Sequence, residues 1–355
     1  MRGARSRFAG ARWVSCRTAW ALAATSFLFA SSGCSLNATG KADLSDLGKI
    51  KVCDNMTFEQ LVNARKLSDE CKAQLEAFLP KPQDDFDSKL IVLGSEEQAD
   101  GSLDVFVYGA HADGKALTSE DFASAQVSVT VKGSATVLAD GDFTVGAVAD
   151  APSDLLSMAI VNDYSGSMSD SDLKTVATIE TDIATYLPPV YEASVTYFSN
   201  EVTQKLDFSS DQQSLLDAVA YDSSFERELT ALYDGMDTGL TGLVARHRPL
   251  KLLIVATDGM ENSSKKATRA DVTGAISQSG VAVVMLGGLF SEPSDLEELA
   301  GKRGVYFYTP YYTDARAQLK DFLESLTNLT KISIPKDKRG EGPVSVDADG
   351  SHGEL

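Results

Sequence analysis

A chain of 355 residues, 43 % of them hydrophobic, is long enough for two modest domains with tails, and its composition excludes wholesale disorder. The net charge of −19 is unevenly placed: the first 33 residues carry five arginines and no acid, which leaves 27 of the 32 Lys and Arg against all 51 acids, a net of −24. A body this acidic repels nucleic acid and anionic lipid surfaces, which argues against polyanion binding, and it attracts divalent cations.

The N-terminus reads as an export signal. A basic stretch precedes a short apolar run, Trp20 to Ala30, and then Ser31-Ser32-Gly33-Cys34. A run this short falls well below the roughly twenty residues that a membrane-spanning helix needs, so residues 1–33 fit a cleaved signal peptide better than an anchor. The Gly33-Cys34 junction resembles the lipobox of bacterial lipoproteins, although Ser31 stands where that family usually has Leu. The resemblance implies lipidation of Cys34, and Ser35 after it points to the outer rather than the inner membrane. The alternative is cleavage at a nearby small residue, with Cys34 left as an ordinary thiol. Cys16 would leave with the leader and Cys34 would take the lipid, so Cys53 and Cys71 remain as a candidate disulfide worth on the order of 3 kcal/mol.

Residues 34–87 read as a polar tether followed by a small helical segment. The segment has apolar residues at Phe58, Leu61, Leu67, Leu75 and Phe78 and is ended by Pro80 and Pro82. From residue 88 to 151 the period changes to two. Leu90–Leu93, Leu103–Tyr108, Val127–Val131 and Phe143–Val145 predict strands, and Asp100-Gly101, Asp113-Gly114 and Asp140-Gly141 supply turns between them. Four strands make an incomplete β-sandwich-like domain. Lys331–Ile334 and Val344–Val346 alternate in the same way, so residues 331–355 either complete that domain around an inserted one or form a tail.

Residues 152–330 alternate strand and helix. Strands are predicted at Leu156–Val161, Ala193–Phe198, Leu252–Ala256, Val281–Leu286 and Val305–Tyr308. Helices are predicted at Asp172–Tyr186, Gln213–Val219, Thr230–Arg246, Arg269–Ser277, Asp295–Ala300 and Ala315–Leu326. This is the order of an α/β, doubly wound, mostly parallel sheet, in which ligands collect at the carboxyl ends of the strands.

The first of these strands runs into Asn162-Asp163-Tyr164-Ser165-Gly166-Ser167-Met168. Asp163, Ser165 and Ser167 resemble the Asp-x-Ser-Gly-Ser motif of von Willebrand factor type A domains. Thr230, opening Thr-Ala-Leu-Tyr-Asp-Gly-Met, and Asp258, ending Leu-Ile-Val-Ala-Thr-Asp, resemble that family's second and third metal-binding loops in the right order. The resemblance covers about half the chain and implies a Rossmann-like fold with a metal-ion-dependent adhesion site. It implies direct contact of Ser165, Ser167 and Thr230 with Mg²⁺ (or Mn²⁺ or Ca²⁺), contact of Asp163 and Asp258 largely through water, and a vacant position for a carboxylate from a partner protein. Mg²⁺ prefers hard oxygen ligands, and two carboxylates with three neutral hydroxyls supply them without cancelling the ion's charge. One departure from the family is Glu228-Leu229 before Thr230, where Gly is common and gives the loop freedom to shift. The plainer reading, that Asp163 and Ser165 merely cap a helix, leaves Thr230 and Asp258 without explanation.

Enzymatic readings fare worse. A haloacid-dehalogenase phosphatase needs a second Asp where Ser165 stands, and neither a Gly-x-Ser-x-Gly elbow nor a phosphate-binding Gly-Lys-Ser/Thr loop is present. His111, His247 and His352 lie far apart in sequence, and Gly109 to Glu120 suits a hairpin better than a calcium loop. The expected function is a metal-dependent binding module displayed on the bacterial envelope and held to the membrane by a lipid anchor. The alternative is an assembly subunit whose contacts do not depend on metal.

Overall fold

The computed structural model describes residues 51–52, 56–57, 89–111, 115, 117–131, 134–148, 155–186, 191–259, 261–288, 291–308, 312 and 329–355. The leader, Cys34, Cys53, Cys71, nearly all of the helical segment expected at 57–78, the Asp113-Gly114 turn and the helix expected at 315–326 lie outside the described residues. Lys51–Val52 (β1) and Met56–Thr57 (β2) form a short antiparallel pair.

Lys89–Glu97 (β3), Leu103–Ala110 (β4), Gln126–Val131 (β5), Ser134–Val137 (β6) and Thr144–Ala147 (β7) come before the doubly wound unit. Thr330–Ile334 (β14), Val344–Ala348 (β15) and Ser351–Glu354 (β16) follow it, and the two groups share sheets. One antiparallel sheet has the order β3-β4-β14-β7 and the other β16-β15-β5-β6. The sheets face each other across Leu90, Val92, Val105, Val107, Val127, Val129, Ile332, Ile334, Val344 and Val346, one alternating position after another. The chain leaves and re-enters this sandwich at neighbouring points, where Val148 N–H donates to the Leu329 carbonyl at 2.8 Å.

The doubly wound unit holds Leu156–Asp163 (β8), Tyr191–Phe198 (β9), Val202–Ser209 (β10), Leu250–Thr257 (β11), Ala282–Gly287 (β12) and Val305–Tyr308 (β13). The strand order is β10-β9-β8-β11-β12-β13, parallel except for the antiparallel edge strand β10. A four-residue helix in the sandwich, Ser119–Phe122 (α1), precedes the larger ones: Asp170–Tyr186 (α2), Gln212–Val219 (α3), Leu232–Val244 (α4), Arg269–Ser279 (α5) and Pro293–Ala300 (α6). Alternate strand residues divide between two layers. Met158, Ile160, Val195, Leu252 and Ile254 pack on α2 and α3, whereas Ala159, Val161, Leu253, Val255 and Val283 pack on α4, α5 and α6.

Strand β3 joins the two units. Leu90 and Val92 enter the sandwich core, while Ile91 and Leu93 enter the larger core that contains Leu155, Leu156 and Leu250. With both faces buried, the strand is apolar at every position from 90 to 93 instead of alternating. At the bulge after Val92, Gly94 lets the backbone approach: a Cβ there would lie 2.9 Å from Leu250 Cδ2 and 3.2 Å from the Pro249 carbonyl.

Five strands appear where none was predicted: β1 and β2, in the stretch expected to be tether and helix, and β6, β10 and β16. The last three are edge strands: β6 is exposed throughout, and β10 and β16 between them bury only Gly353, so burial imprints little apolar pattern on them. Helix α4 begins at Leu232 rather than Thr230, which places Thr230 in the loop before it.

Candidate metal centre

The sheet order itself assembles most of the site. Strands β8 and β11 are parallel neighbours with Ala256 opposite Asn162, so Asp163 and Thr257-Asp258 emerge side by side at their carboxyl ends. From there the chain runs from β8 through α2 to β9 on one side, and from β11 through α5 to β12 on the other, which opens a crevice at the switch point.

Asp163 Oδ1 accepts from the Ser165 backbone N–H at 2.7 Å, and Asp163 Oδ2 accepts from the Thr257 hydroxyl at 2.6 Å. The Ser165 and Ser167 hydroxyls lie 2.9 Å apart, and Ser167 donates to Asp258 Oδ1 at 2.7 Å. Asp163 and Asp258 are both fully buried. Thr230 arrives from the other side on a loop fastened at several points. Its N–H donates to Asn262 Oδ1 at 2.8 Å, and its carbonyl accepts from the Asn262 and Ser263 N–H groups at 3.0 and 3.2 Å. The Gly166 N–H donates to the Glu228 carbonyl and the Glu228 N–H to Ser199 Oγ, both at 2.8 Å. Glu228, found where a mobile glycine is common, therefore ties this loop to the Asp163–Ser167 turn.

Three of the five residues border the space beside Gly259, and Ser165 and Asp258 join them through Ser167. A Cβ at Gly259 would lie 3.1 Å from Ser167 Oγ, 3.4 Å from Thr230 Oγ1 and 3.9 Å from Asp163 Oδ2. Three oxygens from two loops thus converge on a point that the glycine of a third leaves open. Two carboxylates and three hydroxyls form a hard donor set suited to Mg²⁺, Mn²⁺ or Ca²⁺. No group of three or more His, Cys, Asp or Glu gathers among the described residues. His111 faces Asp349 and Asp121, His352 pairs with Asp347, and His247 is exposed; none lies at this crevice.

Burial, and then the neighbouring charge of Asp258, pushes the Asp163 carboxyl up to about 7. Two desolvated carboxylates side by side hold a proton or a cation more readily than they remain bare. Sequence reasoning did not single out Thr257, Ser199 and Asn262, which orient the cluster. Thr257 precedes Asp258 and was within reach, whereas Ser199 and Asn262 sit in loops whose closeness to Thr230 comes from the fold.

Residues 157–325 match the von Willebrand factor type A domain, and the doubly wound unit is such a domain. Among solved structures, proximal thread matrix protein 1 from the mussel byssus matches at 17 % identity with a TM-score of 0.45, over 54 % of this chain and 50 % of that one. This chain therefore spans about half the length of the mussel protein. BatB, a conserved hypothetical protein of Bacteroides thetaiotaomicron, matches at 15 % identity and a TM-score of 0.41, over 48 % of this chain and 98 % of that one. The von Willebrand domain of the type V pili tip protein Mfa5 from Porphyromonas gingivalis matches at 11 % and 0.39, over 50 % of this chain and 96 % of that one. No curated protein matches the chain.

Proposed function

We propose that Asp163, Ser165, Ser167, Thr230 and Asp258 hold a divalent cation, Mg²⁺ or in its place Mn²⁺ or Ca²⁺, and that the domain binds a protein partner through an Asp or Glu carboxylate. The observation that carries this reading is the convergence of Ser167 Oγ, Thr230 Oγ1 and Asp163 Oδ2 on the space beside Gly259. Bound there, the cation supplies positive charge to an incoming carboxylate. The chain's own residues set how much of that charge survives. Asp163 and Asp258 neutralise it in part, and the three hydroxyls contribute oxygens without adding negative charge. Because Asp163 and Asp258 are already buried and oriented by Thr257 and Ser167, little reorganisation is needed to receive an ion.

The setting we propose is the bacterial envelope, with export by residues 1–33, a lipid on Cys34 and a disulfide between Cys53 and Cys71; this part rests on the sequence alone. Calorimetric titration with Mg²⁺ and Mn²⁺ tests the ion. A pull-down from envelope extract, with Mg²⁺ and with EDTA, tests the partner. No heat and no thermal shift at millimolar metal would overturn the metal site, and a complex indifferent to EDTA would favour an assembly subunit.

A further inference from the structure

Residue 162 breaks the pattern of β8. Met158 and Ile160 point into the core shared with α2, and Asn162 is next on that face. From α2 it meets Glu180, and the two side chains are 3 % and 1 % exposed. Asn162 Nδ2 donates to Glu180 Oε2 at 2.7 Å. The remaining atoms, Asn162 Oδ1 and Glu180 Oε1, are both buried and have no hydrogen-bond partner among the described residues. If Glu180 were ionised, these would be two acceptors with no donor between them, beside a charge that no cation among the described residues offsets.

The groups that face Glu180 do not relieve it. The titratable neighbours sensitive to its charge are Tyr164, Tyr197 and Tyr312. Asp222 acts on the first two of these tyrosines, and Asp163 and Asp258 act on Tyr312. Lys205 lies over the Tyr197 ring but is paired with Asp222 at 2.9 Å. The nearby aliphatic residues of α2, Val176, Ile179 and Ile183, belong to the same core.

We propose that Glu180 is kept as a neutral carboxylic acid whose Oε1–H donates to Asn162 Oδ1 while Oε2 accepts from Asn162 Nδ2, and that this two-bond pair positions the end of β8 that carries Asp163. One proton supplies the only donor the pair lacks and removes a buried charge. Burial pushes the Glu180 carboxyl up to about 8, in the same direction. Asn162 is covalently next to Asp163, so fixing its side chain against α2 fixes the strand end at the floor of the site. Glu180 is a positioning residue, and its role in metal binding rests on the proposed cation site.

Infrared difference spectroscopy on the full chain tests the proton directly. Subtracting the Glu180→Gln spectrum from that of wild type near neutral pH isolates this one carboxyl, and it should show the C=O stretch of a protonated acid. An ionised-carboxylate signal in its place overturns the proposal. Glutamine reproduces both hydrogen bonds without a proton, so Glu180→Gln should bind Mn²⁺ as wild type does. Glu180→Leu leaves Asn162 unpaired, and in folded protein should weaken Mn²⁺ binding about tenfold, as loss of an outer support typically does. Wild-type affinity in folded Glu180→Leu overturns the positioning role, and weakened binding in Glu180→Gln counts against the neutral pair. If wild type binds no Mn²⁺ yet shows the protonated band, the cation site fails and the assignment of the proton stands.

Discussion

Replacing Asp163 with Asn should make the metal-free protein more stable at neutral pH and abolish its stabilisation by metal. In the folded chain the Asp163 carboxyl is held at about 7 by burial and by Asp258, against about 3.9 in an unfolded chain. A raised carboxyl means that the folded state binds the proton more tightly, so stability is fully present below the unfolded value and is lost as pH rises towards 7. Three units at about 1.4 kcal/mol each put that loss at roughly 4 kcal/mol. Asparagine stays neutral and escapes the loss. It keeps an oxygen for the Ser165 N–H but turns an amide donor towards the Thr257 hydroxyl, at a cost of about 1–1.5 kcal/mol. The net gain of roughly 2–3 kcal/mol corresponds to a rise in Tm of about 4–10 °C for a domain of this size. At about pH 5, where wild type has regained its proton, that advantage should vanish. Metal at a thousandfold excess over Kd should add about 4.1 kcal/mol to wild type and nothing to Asp163→Asn, so the ranking of the two proteins reverses. Thermal melts in EDTA and in MgCl₂ at both pH values are the assay. A metal-free Asp163→Asn protein that melts below wild type at about pH 7.5 would refute the electrostatic reasoning.

Thr230→Ala removes one neutral oxygen that water can replace, so Mn²⁺ titration should change little while partner capture falls. Gly259→Ala places a methyl 3.1 Å from Ser167 Oγ in the space where the donors converge, and calorimetry should show weakened metal binding in protein that still folds. Cys34→Ala should lose palmitate label and leave the membrane fraction; a wild type released freely into the soluble fraction would refute the anchor. Non-reducing mass spectrometry of exported protein should find Cys53 linked to Cys71, and free thiols at both would remove that disulfide.

The doubly wound unit was legible in the sequence because its central strands are buried on both faces and read as short apolar runs separated by helical periods. β8, β9, β11 and β12 all show this. The edge strand β10 was harder, since Thr203, Gln204, Lys205 and Asp207 are exposed and its pairing with β9 is irregular. The sandwich was legible only in part. Local alternation marks strands without saying which of them pair, and the pairing of β14 with β4 and β7 joins residues nearly two hundred positions apart or more.

The candidate site divides along a similar line. Asp163, Ser165 and Ser167 sit within five residues and carry a recognisable pattern, and Asp258 ends a strand as unmistakable as the first. What the pattern does not contain is the support beneath it. Nothing local tells Asn162 that Glu180 lies one layer away, because that meeting depends on how α2 packs on β8. A strand-end Asn on an apolar face and a Glu in the buried stripe of a helix are each a small violation of patterning, and taken singly each looks like noise. Only when packing brings them together does one polar break answer the other, and the position they share lies immediately before the first candidate metal ligand.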